Sequence, residues 1–117
     1  MPDLSSLSAR DAAARIAAGS LTAEALTRAC LERIAERDSV VGAWEFLDPE
    51  RAIAEAKARD RSGGNAPLKG IPIGVKDVMD THDMPAGYGS PIYRGHRPAA
   101  DAACVALARA AGAVALG

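Results

Sequence analysis

The feature that most limits the possible folds of this chain is residues 68–77, a short apolar run that ends in a lysine and an aspartate. Residues 73–75 have the composition of a buried strand, and Pro72 places that strand either at a sheet edge or just after the proline. Lys76 follows the apolar residues without a polar neighbour before it, and burying an unpaired ammonium group costs free energy. The lysine therefore pairs with an acid, reaches water, or loses its proton and becomes a base.

The segments that follow complete a pattern typical of α/β proteins. Residues 79–98 are rich in Gly, Pro and Asp, and an irregular segment of that length is uncommon unless it is functional. A helix that opens at Asp101 and ends at Gly112 follows, and residues 113–116 predict a second strand. Strand, loop, helix and strand form a βαβ unit, which predicts a parallel sheet with Lys76 at the carboxyl end of its strand.

The N-terminal residues predict two helices. Ser8 is placed to cap a first helix that Gly19 ends, and Thr22 is placed to cap a second helix. The second helix carries an apolar stripe with a spacing of four residues, made up of Leu26, Cys30 and Ile34. A stripe of this kind indicates that the pair of helices packs against a larger body.

Residues 40–47 contain Val, Trp and Phe and predict a strand. Asp48 and Pro49 then predict the capped start of a third helix, which ends in a loop at residues 62–65. We therefore predict an α/β fold in which N-terminal helices pack outside a parallel or mixed sheet. Residues 1–64 form the helical part and residues 65–117 the start of the α/β core, together a single domain that we expect to be incomplete, since little follows the last strand to cover it.

The bulk composition argues against several classes of function. The chain has 14 basic and 15 acidic residues and a net charge of −1, which gives no basis for binding nucleic acid or an anionic membrane surface. Cys30 and Cys104 lie far apart and show neither metal-ligand spacing nor a disulfide pattern. The N-terminus lacks a secretory signal, and Arg109 interrupts the apolar C-terminal stretch. We expect a cytoplasmic protein without membrane spans.

Lys76 itself has a structural interpretation, as a surface lysine paired with Asp77 or another acid. From the residue pattern alone, this ion pair is favoured over catalysis. Asp77 would point to the opposite face of the strand, and we expect it to bond backbone amides of the loop that follows. Gly74 lies on the same side as the lysine and is expected to keep space beside it.

Other residues invite functional interpretations for which structural ones are favoured. Ser90 is flanked by Gly and Pro but lacks the nucleophile-elbow pattern, so we expect a turn residue. His82 and His96, with Asp80 and Asp83, match no metal-ligand motif, so we expect solvated loop histidines and no metal site. Three further residues are expected to have packing roles: Cys104, Trp44 and Phe46.

Four segments in the right order resemble the amidase signature family: residues 68–77, Asp80-Thr81, residues 88–93 and residues 101–114. Members of that family hydrolyse amides with a nucleophilic serine, a bridging serine and a lysine. The resemblance assigns the catalytic lysine to Lys76, which reverses the preference for a surface ion pair. It also implies that the Gly/Ser-rich stretch carrying both serines would lie beyond Gly117, so we expect a truncated chain that is inactive alone.

The resemblance implies a serine amidase that converts a carboxylic amide to the acid and ammonia or an amine, with no metal and no cofactor. Its partner would be a small-molecule amide, and an exposed edge of the last strand would permit a homo-oligomer. One alternative is the A-type subunit of an amidotransferase acting on acyl-tRNA, although residues 88–93 resemble stand-alone amidases more closely. Another is a non-catalytic α/β fragment, because both family serines are absent from the 117 residues.

Overall fold

The computed structural model describes residues 3–117. The regular elements of these residues are α1 (Ala9–Ala17), α2 (Ala23–Val41), α3 (Pro49–Arg61), β1 (Pro72–Ile73), α4 (Ala103–Ala110) and β2 (Val114–Ala115), with short 3₁₀ helices at Leu4–Ser6 and Pro91–Tyr93. The predicted α/β class is confirmed. Across the described residues, every helix is too short or too polar to cross a membrane.

The first three helices begin where the sequence predicts. The side chains of Ser8, Thr22 and Asp48 each accept a hydrogen bond from the backbone N–H three residues further on. Each bond satisfies a donor that the first turn of a helix leaves without an internal partner. Pro49 follows the third cap, at the first position of the helix, where an N–H group would have no partner within the helix. Gly19, with a φ of +76°, ends the first helical segment in the left-handed conformation.

The strand predicted over residues 40–47 is wrong. Helix α2 continues through Val41 and ends at Gly42, which takes a left-handed conformation and donates its N–H to the carbonyl of Asp38. The residues after Gly42 lead into α3 without forming a strand. The valines at the end of α2 have a strand preference, but that preference has its effect only where a neighbouring strand is available to pair with.

Strands β1 and β2 pair in parallel, with Pro72 opposite Val114 and Ile73 opposite Ala115. The parallel sheet predicted from the βαβ pattern is therefore confirmed. The predicted strand bounds are wrong in detail, because β1 includes the proline and both strands are shorter than the apolar runs that contain them.

Pro72 fits into β1 because of the direction in which its backbone faces. The carbonyls on either side of it, those of Ile71 and Ile73, accept the bonds from the N–H groups of Val114 and Leu116. Alternation along the strand turns position 72 away from β2, towards an edge that needs no donor. The edge position was one of the two alternatives that the sequence left open.

Two apolar clusters hold the helices against the sheet, and α2 contributes to both. One joins α2 and α3 to β2 and has as its buried members Ala23, Ala52, Ala56, Val114 and Leu116. The other joins α1 and α2 to the segment before β1 and has as its buried members Ala12, Leu21, Leu26 and Ile71. The predicted packing of N-terminal helices outside the sheet is confirmed.

Candidate active site

An open cleft of about 1020 Å³ lies at the carboxyl ends of β1 and β2. Its lining comes from three parts of the chain: the residues that follow the two strands, the irregular segment 43–46, and the long loop between β1 and α4. Ligand sites of open α/β sheets gather at this end of the strands, and concave surfaces with few polar groups are typical binding sites. This cleft is therefore the candidate active site.

Lys76 lies in this cleft, at the end of the strand as predicted. The ladder between the strands continues past β1, because the N–H of Val75 donates to the carbonyl of Gly117 at 2.8 Å. The carbonyl of Lys76 then accepts the N–H groups of Val78 and Met79 at 2.7 and 3.0 Å, which turns the chain away from the sheet. The strand thus presents an exposed lysine at the point where the loop begins.

The ion pair expected for a purely structural Lys76 does not form within residues 3–117. None of the ion pairs among these residues involves Lys76, including the expected one with Asp77. Lys76 therefore lines the cleft, and no carboxylate among residues 3–117 binds it.

Trp44 occupies the space that Gly74 leaves. A Cβ atom at Gly74 would lie 2.9 Å from Cη2 of Trp44, so the indole ring lies directly against the strand. The expectation that Gly74 keeps space beside Lys76 is therefore wrong, because the indole fills that space. Trp44 is half-buried and packs against the cluster that contains Val114, which confirms its packing role. Phe46, also half-buried, lines the cleft.

Asp77 fixes the loop to the end of β1. Its Oδ1 accepts the backbone N–H of Gly87 at 2.9 Å, across ten positions of the chain. The prediction that Asp77 bonds backbone amides of the following loop is confirmed. Because Asp77 directly follows Lys76, this bond ties the far part of the loop to the backbone beside the lysine.

Ser90 and Tyr88 shape the same loop. Ser90 donates its N–H to the carbonyl of Gly87 at 2.9 Å and caps the short helix Pro91–Tyr93, so the predicted turn role is confirmed.

Tyr88 has a φ of +52° and donates its hydroxyl to the carboxylate of Asp80. That hydrogen bond, with smaller contributions from burial and nearby charges, raises the pKa of Tyr88 to about 12. The phenol therefore stays protonated near neutral pH and serves as a donor.

Asp101 comes together with the adjacent pair His82 and Asp83, and their potential ligand atoms lie within 4.8 Å of one another. Arg109 contacts both carboxylates: its Nη2 lies 2.7 Å from Asp83 Oδ1 and its Nε 3.2 Å from Asp101 Oδ2. The guanidinium supplies the positive charge that a metal ion would supply, so this cluster is an ion-pair network. His96, another metal candidate from the sequence, packs near tyrosine rings elsewhere in the loop.

Asp101 does not open α4 as predicted. Ala102 is the N-cap residue and makes no side-chain cap bond. The Asp101 carboxylate instead accepts the backbone N–H of His82 at 2.8 Å and lies 2.9 Å from the ring Nδ1 of the same residue. Burial acts to raise the pKa of Asp101, but the bonds from His82 and the charge of Arg109 outweigh it and hold the pKa below its usual value.

The predicted packing role of Cys104 is wrong, because this cysteine is exposed. Its sulfur lies 3.2 Å from Sδ of Met79 in the long loop. Val105 is the buried residue of the helix, whereas Leu107 is 72% exposed. A short helix with apolar residues all round does not indicate which side packs against the sheet.

Sequence reasoning missed the arginines that lie beneath the loop. Arg51 Nη2 donates to the carbonyl of Ala115 in β2 at 2.8 Å, and Arg59 Nη2 donates to the carbonyl of Arg109 at 3.0 Å. One signal was present, since Arg51, Glu55 and Arg59 repeat every four positions and must share a face of α3. The pattern alone gives no reason to place that charged face against the sheet.

The comparisons with known proteins agree with this geometry. A family model described as Amidase matches residues 25–117. The chain belongs to the amidase family. The A-type subunit of the glutamyl-tRNA(Gln) amidotransferase from Chloroflexus aggregans is 44% identical over 121 residues, which is 100% of this chain and 25% of that relative. The putative amidase AmiD of Mycobacterium bovis is 41% identical over 118 residues, which is 97% of this chain and 25% of that relative.

A solved structure shows the same amidase-family fold. The native peptide amidase of Stenotrophomonas maltophilia superposes with a TM-score of 0.84 at 39% identity, over 99% of this chain and 24% of that one. The chain spans about a quarter of the length of the curated relatives it matches, as the 25% coverage of both relatives shows. The likeness therefore establishes family and fold for these residues.

Proposed function

We propose that this chain supplies the general base of a serine amidase and that Lys76 is that base. The observation that carries the proposal is the place of Lys76: it lies in the cleft at the carboxyl end of a parallel strand, without an ion-pair partner among residues 3–117. A lysine side chain that no carboxylate binds is free to contact groups that enter the cleft. Membership of the amidase family and the resemblance of residues 68–77 to its lysine motif add support.

In the proposed reaction, the neutral Nζ of Lys76 accepts the proton of a bridging serine, which accepts the proton of a nucleophilic serine. The nucleophilic oxygen bonds to the amide carbon, the carbon–nitrogen bond breaks, and the leaving nitrogen takes a proton relayed back from the lysine. Water then attacks the acyl-enzyme ester, which releases the acid and restores the serine. The Gly/Ser-rich stretch to which the resemblance assigns both serines is not part of residues 1–117.

The proposed substrate is a small carboxylic amide, and the proposed reaction uses no metal and no cofactor. The test uses an amidase chain in which residues 1–117 are joined to the Gly/Ser-rich region. Lys76→Ala should reduce kcat/KM for ammonia release by about 10²–10⁴-fold, since it removes a general base. Lys57→Ala is the matched control, because Lys57 lies on the exposed surface of α3 and should leave turnover unchanged. Equal turnover by both variants would contradict the proposal.

The 44% identical relative favours a second candidate, the A-type subunit of an amidotransferase acting on acyl-tRNA. The two candidates differ in what they need from other proteins. A stand-alone amidase should release ammonia from a small amide when purified alone, whereas an amidotransferase subunit should need its partner subunits and acyl-tRNA for full activity. Activity of the complete chain that appears only with those additions would favour the second candidate.

A further inference from the structure

The Asp83 carboxylate, in the long loop between β1 and α4, contacts arginines of two helices. Asp83 Oδ1 lies 2.7 Å from Nη2 of Arg109 on α4, and Asp83 Oδ2 lies 3.1 Å from Nη1 of Arg51 on α3. The three side chains are 22%, 13% and 20% exposed, respectively, so solvent and salt screen these charge-assisted bonds only weakly. Asp83 thus joins the loop to two helices at once.

The two arginines are themselves fixed. Arg51 reaches β2 through its bond to the carbonyl of Ala115 and also lies 3.1 Å from Glu55 Oε2. Arg109 Nη1 lies 3.7 Å from Glu55 Oε1, and its Nε lies 3.2 Å from Asp101 Oδ2 without the alignment of a hydrogen bond. Asp83 therefore attaches the loop to a network anchored in α3, α4 and β2. Two further contacts attach the loop to the same arginines: Asp101 lies against Arg109, and Met84 Sδ lies 3.5 Å from Arg51 Nη2.

The residues that follow Asp83 form a wall of the cleft. Met84 and Ala86 are buried, and the cleft wall, residues 84–87, lines the same cleft as Lys76. The far end of the cleft wall is the Gly87 amide that Asp77 binds beside the lysine. A displacement of Asp83 would therefore move the cleft wall relative to Lys76.

We propose that Asp83 is a positioning residue for the amidase reaction: held between Arg51 and Arg109, it sets the place of the cleft wall against which the substrate lies. The reaction named here rests on the proposed function, whereas the position of the wall does not. Asp83 is not among the residues that line the cleft, so it acts through the wall and touches no reacting atom. Its loss weakens substrate binding more than it slows the chemical step.

The first test is hydrogen exchange on the complete amidase chain, which needs no activity. Asp83→Asn should speed exchange of the amides in residues 81–87 by about tenfold or more and leave α2 unchanged. Glu32→Gln is the control, since it removes the charge of an exposed acid on α2 that lies outside this network. Unchanged loop exchange in a folded Asp83→Asn variant, or an equal increase in the control, would overturn the inference.

The second test is steady-state amide hydrolysis by the same variants. Asp83→Asn should raise KM about tenfold with kcat within about twofold, and Glu32→Gln should leave KM unchanged. If the Asp83→Asn variant does not fold, Asp83→Glu provides the test. Glutamate keeps the charge but is longer by one methylene, which displaces the loop, so KM should rise while the thermal midpoint stays unchanged. An unchanged KM in folded variants overturns the inference. If the wild-type chain hydrolyses no amide but Asp83→Asn still speeds loop exchange, the proposed function is overturned and the placement of the wall by Asp83 is supported.

Discussion

The helical region, residues 4–61, and the cleft region, residues 68–117, are fixed by contacts of different range. Each of the first three helices starts at a side chain that bonds an amide three positions away. In the cleft region one deciding bond spans ten positions, from Asp77 to Gly87, and another spans 32 positions, from Asp83 back to Arg51 of the helical region. Local contacts can be recognised in a sequence, whereas the long-range contacts exist only once the chain has folded.

The largest expected effect comes from a glycine of the cleft region. A Cβ atom at Gly112, where φ is +102°, would lie 2.6 Å from the backbone Cα of Lys69. Gly112→Ala should therefore lower the free energy of unfolding by about 3 kcal/mol or more, because the backbone must shift and the conformation is strained. Urea denaturation measures this loss.

Gly19→Ala is the control for that substitution in the helical region. Its φ is +76°, yet nothing lies within 4 Å of the added Cβ, so the loss should be only about 1 kcal/mol. If both substitutions lowered the free energy of unfolding equally, the close backbone contact at Gly112 would not constrain the cleft region.

A smaller effect sharpens the comparison, because the helical region contains a long-range cap of its own. The carboxylate of Asp60 on α3 accepts the N–H groups of Ala23 and Glu24 at 2.7 and 3.0 Å, at the start of α2. Asp60→Ala should destabilise the fold by about 1–2 kcal/mol in thermal or urea unfolding, since two amides lose a charged acceptor. Asp11→Asn is the control, because Asp11 is an exposed acid in the first turn of α1, and it should cost about 0.5 kcal/mol. An equal cost for Asp60→Ala would mean that the bonds of Asp60 do not help to join α2 and α3.

The smallest expected effect is a gain in stability. Thr27 is fully buried on α2, and its hydroxyl has no hydrogen-bond partner among residues 3–117. Thr27→Val removes the cost of burying that hydroxyl at a similar volume, and should raise the free energy of unfolding by up to about 1 kcal/mol. Thr22→Val removes a cap on the same helix and should lower it by about 1 kcal/mol. A loss at Thr27 would show that its hydroxyl forms a bond in solution.

The contrast between the two regions also explains what could be predicted from the sequence. The caps at Ser8, Thr22 and Asp48 and the βαβ order depend on neighbours in the chain and were predicted correctly. The strand expected at residues 40–47 failed because pairing depends on a distant partner, and the helix start expected at Asp101 failed because distant side chains bind its carboxylate.

The candidate site divides in the same way. The position of Lys76 after a strand and the role of Asp77 in the loop could be predicted from residues 68–77. The network of Arg51, Asp83 and Arg109 could not, because its members come from α3, the loop and α4 and meet only through the tertiary fold. Polar contacts between distant elements leave no periodic pattern in a sequence.

The measurement that tests the central claim most directly is turnover of the Lys76→Arg variant in an amidase chain that includes the Gly/Ser-rich region. Arginine keeps the positive charge and much of the length of lysine, but its guanidinium does not lose its proton and so cannot act as a base. If Lys76 is the base, kcat/KM for amide hydrolysis should fall by about 10²–10⁴-fold while the thermal midpoint stays unchanged. If turnover stays near the wild-type value, Lys76 is a surface cation and the proposed function is contradicted.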